Sequence, residues 1–115
     1  MIRIKRVYDA RERGDGERFL VERLWPRGVR KEALDGVPWL KDVAPSAALR
    51  SWYGHRVERW DEFRERYRKE LAANRAACEP LLAASRRGPV TLLYSARDLE
   101  HNSALVLRDF LREQR

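Results

Sequence analysis

The chain has 115 residues, enough to bury a core, and is 43% hydrophobic, which excludes an intrinsically disordered protein. No stretch approaches the roughly eighteen apolar residues of a membrane span, and the N-terminus MIRIKRVYDA lacks the apolar segment of a signal peptide. The net charge is +7, and residues 1–31 hold ten Lys/Arg against five Asp/Glu, so the basic excess is local and is not a tail.

In chain order, IRIKRVY (2–8) alternates and is rich in branched residues, as a strand with one wet face would be. Asp9 to Glu17 is polar, with Gly14, Asp15 and Gly16 as a turn signal. RFLVERL (18–24) has a continuous apolar centre and reads as an inner strand. The short connection predicts that these two strands form an antiparallel hairpin. Pro38 predicts the start of a helix and Pro45 its end near Val43. Ser46 is placed to cap a second short helix carrying Leu49, Trp52 and Tyr53.

Trp60, Phe63, Tyr67 and Leu71 recur three, four and four residues apart, the apolar stripe of a helix whose other faces are charged. Asn74 breaks it. Cys78, Leu81 and Leu82 continue an apolar face in a further helix, which tolerates Pro80 only in its first turn and ends at Gly88-Pro89. VTLLYS (90–95) is apolar on both faces, the mark of a central strand. ALVLRDFL (104–111) follows as an amphipathic helix. The chain therefore reads as one layered α/β domain over residues 1–115: a small sheet with a central buried C-terminal strand, flanked by helices.

In such domains ligands bind outside the carboxyl ends of the central strands. Two loops then become candidates, LWPRG (24–28) and SARDLEHN (95–102). In the second, Asp98 and His101 are candidates for moving a proton, because imidazole titrates near neutral pH. The alternative is that Asp98 or Asn102 caps the next helix. In the first, Arg23 and Arg27 flank Trp25 and Pro26, with Arg6 on the first strand and Arg50 farther on. A guanidinium fork fits phosphate or carboxylate, and Trp25, in a polar loop, is the best candidate for an exposed stacking ring. The competing reading is an ionic lattice of these arginines with Asp9, Glu22 or Asp35.

Trp39, Trp52, Trp60 and Phe63 read as packing residues, and Cys78 as an inert buried thiol. A lone cysteine points to a reducing, cytoplasmic setting. His55 and His101 lack the spacing of a metal pair. Neither a G-x-G-x-x-G nor a Walker loop occurs, so no cofactor is expected.

The blocks KRVYD, FLVERLWPRGVRKE, WLKDVAPSAALRSWYGH and VTLLYSARDLEHNSALVL occur in that order over nearly the whole chain. Together they resemble the YeaO-like branch of the domain-of-unknown-function 488 family. The resemblance implies a small α/β protein whose signature positions include Arg6, Arg23, Trp25, Arg27, Arg50, Tyr94, Asp98 and Asn102. Other branches place a Cys-His-Arg triplet near the loop after the last strand. Here Glu100, His101 and Asn102 stand there, so the resemblance carries no thiol chemistry to this chain.

The leading expectation is an anionic small-molecule ligand, phosphorylated or nucleotide-like, held by Arg6, Arg23, Trp25, Arg27, Arg50, Tyr94 and Asn102. Asp98 and His101 would supply any proton chemistry. The alternatives are a nucleic-acid module using the basic N-terminal segment and Trp25, or a non-catalytic interaction protein. Oligomeric state is left open by the sequence.

Overall fold

The computed structural model describes residues 1–114. Three strands form one sheet: β1 (Ile2–Arg6), β2 (Glu17–Leu20) and β3 (Val90–Tyr94). Four helices accompany them: α1 (Ala47–Tyr53), α2 (Trp60–Ala73), α3 (Glu79–Arg87) and α4 (Ser103–Gln114). None is long and apolar enough to cross a membrane.

The strand order is β1-β3-β2, and both pairings are parallel. The expected antiparallel hairpin of the two N-terminal strands is therefore corrected: β3 lies between them. The reason is burial. Every residue of β3 is buried, so its backbone must bond on both edges, and the two partners available are β1 and β2. Residues 7–16 cross from one edge to the other over one face of β3, where the Thr91 hydroxyl donates to the Asp15 carbonyl at 2.7 Å. Lys5 fastens the same crossing, donating to Asp15 at 3.1 Å and Glu12 at 2.7 Å.

β2 is also shorter than expected, although the Val21 N–H still donates to the Leu93 carbonyl. Its outer edge is covered by an extended segment where a helix was expected. The Leu20 N–H donates to Pro38 and its carbonyl accepts from Leu40, each at 2.9 Å. Pro38 suits this edge because only its carbonyl is used. Helical geometry begins only at a short turn, Lys41–Val43.

Alternation along the strands sorts two cores. Phe19, Val21, Val90, Leu92 and Tyr94 pack with α1 to α4, including Phe63, Tyr67 and Leu71 of the anticipated α2 stripe. Leu20 and Leu93 face the other way, against Leu34, Trp25 and Trp39. The helices thus lie on one face of the sheet, and loops cover the other. Fully burying a side chain such as Leu92 or Leu107 stabilises the fold by about 1.5–3 kcal/mol.

The APS block couples helix initiation to packing. Ser46 caps α1, its hydroxyl accepting from the Leu49 N–H at 3.1 Å. Its own N–H and hydroxyl donate to Glu70 of α2 at 2.9 and 2.6 Å. Gly54 ends α1 in the left-handed conformation, and His55 follows at φ 58°, the one non-glycine residue with positive φ among those described.

Candidate functional site

A cavity of about 1080 Å³ opens at the carboxyl ends of β1, β2 and β3. It is lined from both loops that the sequence singled out, with Arg27 from the first and Ser95 to Asp98, His101 and Asn102 from the second. α1 adds Arg50 and Tyr53, and the chain's two histidines, His55 and His101, both face it.

Arg6 ends β1 and spends its guanidinium on the second loop, Nε donating to the Ala96 carbonyl at 3.0 Å and Nη2 to Ser95 at 3.3 Å. It also lies 4.8 Å over the ring of Tyr8, whose hydroxyl donates to the Arg27 carbonyl at 2.8 Å. The two candidate loops are thereby joined through β1. Glu22, just past β2, accepts the Ser95 N–H and hydroxyl at 2.7 Å each.

Asp98 acts as a turn cap. One of its oxygens accepts the N–H groups of Glu100 and His101 at 2.9 and 3.0 Å. The Glu100 N–H is the main cause holding this carboxyl below its ordinary pKa, ahead of the His101 contacts that act the same way. The other oxygen lies 3.0 Å from His101 Nδ1, so a neutral imidazole is oriented with Nδ1–H toward Asp98 and Nε2 unprotonated. The His101 ring stands edge-on to Trp60, 5.4 Å between centroids. Asn102 has both ends of its amide occupied: it donates to the Asp98 carbonyl and accepts the Leu105 N–H, each at 3.0 Å.

Two expected ligand residues lie elsewhere. Arg23 does not line the cavity; its Nε and Nη2 donate to the Pro45 and Ala44 carbonyls at 2.9 and 3.2 Å. The Trp25 ring is not an exposed platform. It meets Trp39 edge-on at 5.3 Å and donates to the Val29 carbonyl at 2.7 Å, on the far core of the sheet. The anticipated ionic lattice also takes another form, since Arg6 and Arg23 hold backbone carbonyls while Lys5 makes the ion pairs.

Arg27, Arg50 and Arg97 are exposed at the cavity and make no ion pair or side-chain hydrogen bond among the described residues. Deeper in, Tyr53 and Tyr94 are 7% and 4% exposed. Burial raises the pKa of both phenols, so they stay protonated and can donate. Among the described residues neither hydroxyl has a protein hydrogen-bond partner and no buried side-chain polar atom is sealed away unpaired; Tyr53 lines this cavity, and Tyr94 lines it together with a smaller neighbouring one.

Tyr8, Glu22, Tyr53, His55, Phe63 and Arg97 were not read from the sequence as site residues. Tyr53 and Phe63 sit in apolar stripes that signal packing, which they also provide. Glu22 gives a usable signal, a carboxylate at the end of an apolar strand. Cys78 is fully buried within the helical core, where burial pushes its thiol pKa up. Among the described residues no cluster of three His, Cys, Asp or Glu side chains is placed to hold a metal ion.

A family profile described as the inactive DUF488-N3 subclade matches residues 1–115. The chain belongs to this family. It is 45% identical to the uncharacterised protein YeaO of Escherichia coli K12 over 111 residues, 96% of each chain. It is 43% identical to the uncharacterised proteins Rv3073c of Mycobacterium tuberculosis H37Rv and Mb3100c of Mycobacterium bovis over 110 residues, 96% of this chain and 92% of theirs. No solved structure matches the chain significantly.

Proposed function

We propose that this member of the DUF488 family binds a small phosphorylated anion in the cavity at the strand ends, and binds it without turning it over. One observation carries the reading. Among the described residues, three guanidiniums that make no ion pair or side-chain hydrogen bond, Arg27, Arg50 and Arg97, line a cavity whose two carboxylates, Glu22 and Asp98, each already accept two internal N–H or O–H donors. Four arginines line the space in all, counting Arg6, an excess of two positive charges over the carboxylates. A planar guanidinium fork matches phosphate oxygens, and low-dielectric walls strengthen the attraction.

The family description as inactive favours binding over catalysis. So does the local chemistry: the Ser95 hydroxyl donates to Glu22 and does not meet the His101–Asp98 pair, and the single thiol is buried in the core. The nucleic-acid reading loses its stacking ring, because Trp25 is engaged with Trp39.

The test is thermal unfolding in phosphate and pyrophosphate against chloride at matched ionic strength. A ligand held only by the native state raises the unfolding temperature. The expected result is a saturable rise that disappears in the double variant Arg27→Ala, Arg50→Ala. Equal curves in phosphate, pyrophosphate and chloride would remove the reading.

A further inference from the structure

Resting on the anion-binding reading, we infer that the ligand is a heteroaromatic phosphate monoester whose ring lies inside the cavity and whose phosphate lies at its mouth. Polarity is layered along the cavity wall. The exposed cations Arg27, Arg50 and Arg97 stand at the rim, with the exposed His55 beside them. Behind them the lining changes to buried rings, Tyr53, Phe63 and Tyr94, the second of these 2% exposed. An inorganic anion would use the rim and leave this inner wall against water. A ligand with a flat apolar body gains the burial of its ring and stacking geometry as well.

The inner wall also has a polar requirement. Tyr53 and Tyr94 present phenol hydroxyls that no protein group accepts among the described residues. A plain hydrocarbon ring would desolvate both donors without return, at a cost that opposes binding. A ring with nitrogen or carbonyl acceptors on its edge meets them. The charge at the rim fits the other end of the molecule, since an excess of two positive charges balances a phosphate monoester dianion. The space, about 1080 Å³, accommodates a ring, a linker and a phosphate together.

His55 contributes to the same mouth. Its backbone is held at φ 58°, a conformation that β-carbon sterics disfavour, and its ring stands 6.3 Å from that of Tyr53. This places an imidazole between the cationic rim and the aromatic wall, where it can donate to a phosphate oxygen.

The experiment compares dissociation constants by calorimetry for inorganic phosphate, ribose 5-phosphate, and adenosine, guanosine, cytidine and uridine 5′-monophosphates. Wild type is measured beside the double variant Tyr53→Phe, Tyr94→Phe, which keeps both rings and removes both hydroxyls. At least one nucleoside monophosphate should bind roughly tenfold or more tightly than ribose 5-phosphate. The double variant should lose most of that preference and bind ribose 5-phosphate as before. Equal affinity for every nucleotide and ribose 5-phosphate overturns the ring assignment and leaves anion binding standing. A preference that survives the double variant overturns the role of the phenols. No binding of phosphate or of any ester overturns both readings. If the double variant unfolds early, Arg50→Ala serves instead: it should weaken nucleotide and ribose 5-phosphate equally, and a selective loss of one contradicts the proposed layering.

Discussion

Glu22 and Ser95 meet through two hydrogen bonds, the Ser95 N–H and hydroxyl both donating to one carboxylate oxygen at 2.7 Å. The contact joins the residues just beyond β2 and β3, so it fixes the spacing of the two loops that line the cavity. Removing the acceptor leaves two part-buried donors to find water. Glu22→Ala is expected to cost about 2 kcal/mol, the range for hydrogen bonds to a charged group. Urea denaturation measures it, and a loss below about 0.5 kcal/mol would mean that water replaces the carboxylate freely.

Gly16 turns the chain into β2 at φ 65°, directly against the segment entering β3. A β-carbon there would lie 2.2 Å from the Pro89 carbonyl oxygen and 2.7 Å from its carbon. Both are backbone atoms and cannot swing aside, while Glu17 N–H must still donate to that same carbonyl at 3.0 Å. Conformational strain and overpacking add, so Gly16→Ala should lose more than about 3 kcal/mol. Gly28, also at positive φ, has open space around its would-be β-carbon and should lose less. Comparing thermal unfolding of the two variants separates steric conflict from backbone preference.

Asp15 and Lys5 set the pH limits of the crossing over β3. Burial works to raise the Asp15 carboxyl, but the Glu12 N–H and the Lys5 ammonium prevail and hold it below the ordinary 3.8. Its contribution is therefore present above that value and is lost as pH falls through the lower folded-state value. Lys5 moves the other way: the hydrogen bond to Glu12, then those to Asp15, raise it above 10.5 against desolvation. That contribution is complete below 10.5 and is lost as pH rises through the folded-state value. Asp15→Asn should be less stable than wild type at pH 7, and the gap should close as pH falls below 3.8. Unfolding curves at several pH values check this; a gap that stays constant would assign the loss to shape and not to charge.

What the sequence disclosed follows from the range of each interaction. The α2 stripe of Phe63, Tyr67 and Leu71 is local in the chain, as is the Ser46 cap on Leu49, and both were legible. The doubly apolar VTLLY marked β3 as central, and the strand-end rule led to two loops that both line the cavity. The neighbours of β1 and β2 were not legible, because a ten-residue polar connection allows a hairpin or a crossing and β3 decides between them from seventy residues away. Arg23 and Trp25 misled for a related reason. A basic, aromatic loop has the composition of a binding surface, yet Arg23 holds the carbonyls of Ala44 and Pro45, and Trp25 closes the second core. Their partners are backbone atoms and rings, which leave no mark in charge pattern.

The arginines can consequently be sorted by what their removal changes. Arg6 and Arg23 each donate twice to backbone carbonyls, so their truncation leaves part-buried acceptors unpaired. Arg6→Ala and Arg23→Ala are expected to cost about 1.5–3 kcal/mol each in stability. Arg27 and Arg50 are exposed and hold no other side chain among the described residues, so Arg27→Ala and Arg50→Ala should stay within about 0.5 kcal/mol of wild type without ligand. With phosphate present the order reverses for the second pair: they should lose the anion-dependent gain in unfolding temperature. Arg23→Ala should keep that gain from its lower baseline, because Arg23 does not line the cavity. Arg6→Ala should lose part of it, since Arg6 both borders the cavity and holds the Ser95 and Ala96 carbonyls in place. Unfolding temperatures of the four variants with and without phosphate give the whole pattern, and a uniform effect across them would indicate general charge screening in place of a site.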